Sequence, residues 1–200
     1  MLEYKLESEL IAQGYSAVCG VDEAGRGPLC GPVFAAACIL PIGLELEGLN
    51  DSKKLTPKKR DQLFDLIREN AIAYCIASAS VEEIDTLNIL EADLLAMRRA
   101  IDGLQIPAEY ALIDGNIARD FQIPAKAVIG GDAISPSIAA ASILAKVARD
   151  RDCIELDRAY PQYGIAKHKG YGTKQHMEAL RTYGPSPIHR KQFIRFLDKK

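Results

Sequence analysis

Apolar residues along this chain keep two rhythms, and the places where one gives way to the other mark its elements. Residues 16–22, 33–40 and 71–78 are short, nearly continuous apolar runs, the pattern of strands covered on both faces. Residues 110–113 and 125–129 are shorter runs of the same kind. Between the second and third runs the spacing turns helical: Leu63, Phe64, Leu66 and Ile67 share a face, with Thr56 as N-cap and Pro57 at the first helical position. A second helix is predicted from Asp85 through Leu90, Leu94, Leu95, Met97 and Ile101 to a stop at Gly103. A third opens at Ser135-Pro136 and runs through Ile138, Ala141, Leu144, Ala145 and Ala148 to Ile154. Strands first, then strands alternating with helices, predict an α/β domain with a mixed central sheet flanked by helices.

Composition narrows this picture. The chain has 200 residues, 48% of them hydrophobic, with no repeat or low-complexity linker, so one domain over residues 1–200 is expected. The longest apolar run, near residues 33–42, is broken by Pro41 and is shorter than the ~18 residues that read as a membrane span. The first ten residues mix acids with hydrophobics and show no basic-then-apolar leader, so a cytoplasmic protein with no membrane partner is expected. The five cysteines, Cys19, Cys30, Cys38, Cys75 and Cys153, have no Cys-x-x-Cys spacing and read as reduced core thiols. The net charge of -2 hides an asymmetry: residues 158–200 carry ten Lys or Arg against two acids, and the rest carries 15 against 25. That basic C-terminal extension is a phosphate-binding surface or a solvated face.

Chemistry gathers where apolar runs end. In Val21-Asp22-Glu23-Ala24-Gly25-Arg26-Gly27-Pro28 a buried strand delivers two adjacent carboxylates, a costly place for charge unless it is paired or metal-bound. Adjacent side chains on a regular strand face opposite ways, so both acids serve one centre only where the strand ends and turns. Ile113-Asp114-Gly115-Asn116 and Gly130-Gly131-Asp132-Ala133 each bring one more carboxylate into a glycine-containing loop. Oxygen-only ligands suit Mg²⁺ or Mn²⁺, and His168, His176 and His189 have no ligand spacing. Like charges ~4 Å apart cost about 4 kcal/mol per pair at an effective dielectric near 20, so four acids call for two divalent cations. Such an ion pair serves phosphodiester hydrolysis.

Asp22-Glu23-Ala24-Gly25-Arg26-Gly27, Asp51-Ser52-Lys53-Lys54-Leu55, Asp114-Gly115-Asn116, Gly131-Asp132-Ala133, the run SIAAASILAKVARD at 137–150 and His168-Lys169-Gly170-Tyr171-Gly172-Thr173 occur here in order. In identity and spacing they resemble ribonuclease HII, over essentially the whole chain. The resemblance implies a ribonuclease H-like fold with a C-terminal helical segment, and Asp22, Glu23, Asp114 and Asp132 as catalytic ligands of two Mn²⁺ or Mg²⁺ ions. It implies cleavage of the RNA strand of RNA/DNA hybrids and nicking 5′ of single ribonucleotides in duplex DNA, leaving a 3′-hydroxyl and a 5′-phosphate. In cellular terms this is removal of misincorporated ribonucleotides and RNA primers.

The same resemblance assigns Gly25, Arg26 and Gly27 to the ribose and Tyr171 to the next sugar. Lys53, Ser142, Lys146, Lys167, His168 and Lys169 are candidate substrate contacts, the lysines and His168 toward phosphate. A monomer is expected. Residues 192–196 bear a faint likeness to bacterial sliding-clamp binding peptides, against the plainer reading of an amphipathic terminal helix. Other ribonuclease H types, or a non-catalytic hybrid binder whose acids cap strands and helices, are the alternatives.

Overall fold

A computed structural model of the chain describes residues 2–198; Met1, Lys199 and Lys200, the last two counted in the basic extension, lie outside the described residues. Five strands form one sheet in the order β3-β2-β1-β4-β5. They are β1 (Val18–Ala24), β2 (Val33–Ile39), β3 (Ala73–Ala79), β4 (Tyr110–Asp114) and β5 (Ala125–Val128). β1, β2 and β3 run antiparallel, whereas β1, β4 and β5 run parallel, the mixed sheet that the order of apolar runs predicts. The helices are α1 (Lys5–Ala12), α2 (Pro57–Asn70), α3 (Val81–Leu87), α4 (Ile89–Asp102), α5 (Pro136–Ala159), α6 (Ile165–His168) and α7 (Lys174–Tyr183).

The two faces of β1 meet different partners. Cys19 and Val21 pack with Val33, Ala35 and Ala37 of β2 against Leu94, Met97 and Ile101 of α4. The alternate positions of β2, Ala36 and Cys38, pack with α2 and with Ala140 to Val147 of α5. Gly20 lets α5 lie directly on the sheet, because a Cβ there would stand 2.2 Å from Ile138 N. A third cluster joins Cys30 and Cys153 to Tyr163, Ile165, Leu180 and Ile194 of the C-terminal extension. All five cysteines are thiols, four of them buried. No described helix is long and apolar enough to cross a membrane.

One expectation is corrected and one helix was not foreseen. The single helix predicted from Asp85 is two: a Ser80–Glu83 capping box starts α3, and Asn88, at φ 76, ends it and caps α4 through Leu90 and Glu91 N–H. α1 was not foreseen, since its eight residues make little more than two turns; it is held by Glu7, buried and accepting from Ser135 Oγ (2.5 Å) and Ser137 N–H (3.2 Å) at the start of α5.

Candidate active site

The acids collect where the sheet runs out of neighbours. β1 pairs with β4 only as far as Val21–Ile113, yet continues along β2 through Asp22 and Glu23 to Ala24. The strand therefore does not end at Asp22, as the sequence suggests; it outlasts β4, whose last residue is Asp114. Asp132 arrives on a 3₁₀ turn, Gly131–Ala133, entered through left-handed Gly130, rather than directly from β5. That turn is tied to β4 by Gly131 N–H donating to Asp114 Oδ1 at 2.7 Å. Asp22, Asp114 and Asp132 each bring an oxygen within 4.8 Å of the others.

Glu23 stands outside this trio, as strand alternation requires. Asp22 lies on the α5 side, touched by Ser142, while Glu23 lies near Arg26, 3.8 Å from its Nη1. Burial pushes the Asp22 carboxyl well above the usual range, with Glu23 and Asp114 adding to the shift and Ser142 opposing it. Glu23 is raised by burial and Asp114 against the pull of Arg26 and Lys53. Asp132 is raised by burial, Asp114 and Asp51, against Lys53. Arg26 and Lys53 only partly offset the burial of these carboxylates, and an oxygen-only set at this spacing fits a divalent cation.

The Gly25–Arg26–Gly27 loop adjoins these acids. Gly25 has φ 101 and packs on Arg149, whose Nε would lie 2.1 Å from a Cβ there, so only glycine fits on both counts. A Cβ at Gly27 would stand 3.5 Å from Tyr171 Cε1, which sets the exposed Tyr171 ring against the loop. Arg26 itself is 48% exposed. Beneath it, the fully buried Arg190 donates to five carbonyls: Nε to Gly31, Nη1 to Arg26 and Pro28, Nη2 to Gly25 and Pro32, at 2.7 to 3.2 Å. Leu29 and Gly31 are sewn to Gly170 and Ile188 by backbone bonds.

The remaining candidates scatter. Lys53 is exposed and 4.0 Å from Asp132; burial lowers its pKa, but Asp22, Asp132, Asp51 and Glu23 outweigh that and raise it. Ser142 is buried and donates to Ser52 at 2.8 Å, so it supports Asp22 from inside rather than facing solvent. Lys146 is engaged with Asp150 at 2.6 Å. Lys167 is exposed, and Lys169 is partly buried with its carbonyl accepting from Arg149.

His168 does not fit a phosphate contact. Its ring is buried and stacked on His176, Nε2 bonds Tyr163 O and Nδ1 accepts from Gly170 N–H. Cys30, His176 and His189 also converge within 4.8 Å despite their irregular spacing. There His176 Nε2 and His189 Nε2 bond each other at 3.1 Å, and the other ring nitrogens face backbone groups of 170, 171 and 186, an interior polar network. Two residues at the site were not singled out from sequence: Arg190, counted only as tail charge, and Asp93 of α4, buried 3.5 Å from Arg26 Nε. Burial, with help from Glu23 and against Arg26, pushes Asp93 up to about 8.

The model of the family described as Ribonuclease HII matches residues 19–196. A Ribonuclease HII of Desulfitobacterium hafniense is 57% identical over 187 residues, 94% of this chain and 72% of that protein. Among solved structures, the ribonuclease H2 of Pyrococcus horikoshii OT3 superposes with a TM-score of 0.72 at 28% identity, covering 92% of this chain and 99% of that one. The RNase HII of Archaeoglobus fulgidus, solved in a complex with PCNA, gives 0.69 at 25% identity over 92% and 95%. The fold is ribonuclease H-like.

Proposed function

Because the chain belongs to the ribonuclease HII family and is therefore an RNase H nuclease, we propose that it cuts the RNA strand of RNA/DNA hybrids and nicks duplex DNA 5′ of a single embedded ribonucleotide. The products are a 3′-hydroxyl and a 5′-phosphate, and the cellular task is removal of misincorporated ribonucleotides and RNA primers. One observation carries the proposal: carboxylates from β1, β4 and the turn after β5 meet beside a loop whose arginine is flanked by two glycines.

Asp22, Glu23, Asp114 and Asp132 would hold two Mn²⁺ or Mg²⁺ ions. When bound, the ions supply activation of the attacking water and stabilisation of the leaving oxygen. The chain's own residues do the rest. Their burial keeps the acids short of counter-charge and so primed for cations. Gly25 and Gly27 let the backbone reach the ribose, where the 2′-hydroxyl distinguishes RNA from DNA. Arg26 takes a phosphate, and the Tyr171 ring packs on the following sugar. Lys53, Lys146, Lys167 and Lys169 add cationic surface along the duplex. Residues 1–200 act as one catalytic unit, monomeric and cytoplasmic, with 158–200 as its extension; the cluster uniting Cys30 and Cys153 with Ile194 supports the joining of that extension to the rest. For a sliding clamp to take residues 192–196, Ile194 would leave the core and Gln192 would give up its bond to Asp85 O.

The test is gel analysis of a DNA duplex carrying one ribonucleotide, with and without Mn²⁺. A single metal-dependent nick 5′ of the ribonucleotide is expected. An uncut duplex beside a hydrolysed four-ribonucleotide substrate would point to type 1 behaviour instead, and binding without any cutting to a non-catalytic protein.

A further inference from the structure

The acid edge has a fifth carboxylate that metal binding does not use. Asp93 sits among Ala92, Leu94, Ala96 and Met97 on the buried face of α4 and is 2% exposed. Its Oδ2 lies 3.5 Å from Arg26 Nε, and its Oδ1 is buried with no hydrogen-bond partner. A carboxylate in that setting is costly to bury, and Arg26 is its salt-bridge partner among the described residues.

Arg26 is meanwhile shared between two acids. Its Nε edge faces Asp93, and its Nη1 is 3.8 Å from Glu23, which divalent ions would claim. Asp93 stands outside the converging trio and stays behind when that happens. We infer that Asp93 is a positioning residue that holds the Arg26 guanidinium by its Nε edge beside the loop, and so governs how firmly a substrate phosphate is gripped next to the ribose. The inference rests on the nuclease reading above. Without Asp93, a half-exposed arginine with four rotatable side-chain bonds regains its rotamers before each encounter with substrate.

The test compares the full chain, Asp93→Asn, Arg26→Ala and the double variant on a short DNA duplex with one ribonucleotide in Mn²⁺. Asp93→Asn is expected to raise KM about tenfold, the scale of an arginine's rotamer freedom, while kcat stays within about twofold. Arg26→Ala raises KM at least as much, and the double variant is no worse than Arg26→Ala, because both changes remove one interaction. Fluorescence anisotropy with metal-free protein gives the same ranking. Measured above pH 8, where Asp93 carries its charge, the Tm of Asp93→Asn is equal to or above that of the parent, since a buried charge has gone, and a lowered Tm would mark a merely structural role. An unchanged KM in Asp93→Asn, or additive losses in the double variant, would overturn the inference and leave the nuclease reading intact. A parent chain that fails to cut the duplex overturns the reading itself.

Discussion

The carboxylate edge and the loop pinned by Arg190 lie side by side and handle buried charge in opposite ways. At the edge, Asp22, Glu23 and Asp132 are raised by burial and by the nearby Asp114, so the folded chain holds a site whose electrostatics are incomplete. In the loop, one guanidinium with five N–H donors meets five carbonyls, and nothing is left over. Burial lowers the Arg190 pKa to about 10, with Arg149 adding to the shift, so it keeps its charge at neutral pH. The difference separates function from stability: the first region gains by taking something from solution, and the second gives the first a rigid neighbour. Mutating either is expected to abolish activity, by a different route in each case.

The largest effect is expected at Arg190. Arg190→Ala strands five carbonyls and costs about 5 kcal/mol in urea unfolding, with activity lost alongside stability. A stability loss under about 1 kcal/mol would mean that the backbone bonds to Gly170 and Ile188 hold the loop unaided. Next comes Asp114→Asn, for which turnover under saturating Mn²⁺ drops roughly a thousandfold, about 4 kcal/mol, while the metal-free Tm stays level or rises. Mn²⁺ raises the parent's Tm and leaves the variant's almost unmoved, the signature of a ligand that binds only the intact site.

The smallest effect is a difference in pH response. Burial and then His176 lower the His189 pKa to about 4, and burial lowers His176 likewise. The unfolded imidazole takes its proton near pH 6.5, so this stability is fully present above that value and drains as pH falls toward 4. The His189 share amounts to about 2 kcal/mol by pH 5. The carboxylates carry the reverse sign: raised in the folded state, they cost most at neutral pH and least once protonated. Melting curves of the metal-free protein from neutral to acid pH, compared with His189→Gln, separate the two. The variant should lose less on acidification than the parent, and identical slopes would remove His189 from the account.

Much of this was legible in the sequence where local signals and burial agree. Thr56-Pro57 and Ser135-Pro136 cap α2 and α5 as read, with Thr56 accepting from Lys59 N–H and Ser135 from Ile138 N–H. Asp22, Asp114 and Asp132 stood out because a charge after an apolar run is improbable unless something neutralises it. What could not be read is long-range. Asp93 sits in an amphipathic helix where an acid ordinarily faces water, and only the fold shows it turned inward toward Arg26. Arg190 was one of ten basic residues in a charged tail, and its burial depends on a loop some 160 positions earlier. Ser142 and His168 were taken for substrate contacts because they lie in motifs shared with the family, whereas their own side chains face the interior.

The bonds from Arg190 to residues 25–32 also bear on the order of synthesis. Ribosomes make the N-terminus first, so β1 and its glycine turn emerge long before the arginine that shapes them. Until residue 190 has cleared the exit tunnel, the carbonyls of Gly25 to Pro32 have no such donor. A growing polypeptide can thus display its acids while the neighbouring glycine turn still lacks its brace, and the arrival of residue 190 decides when that turn takes its final shape.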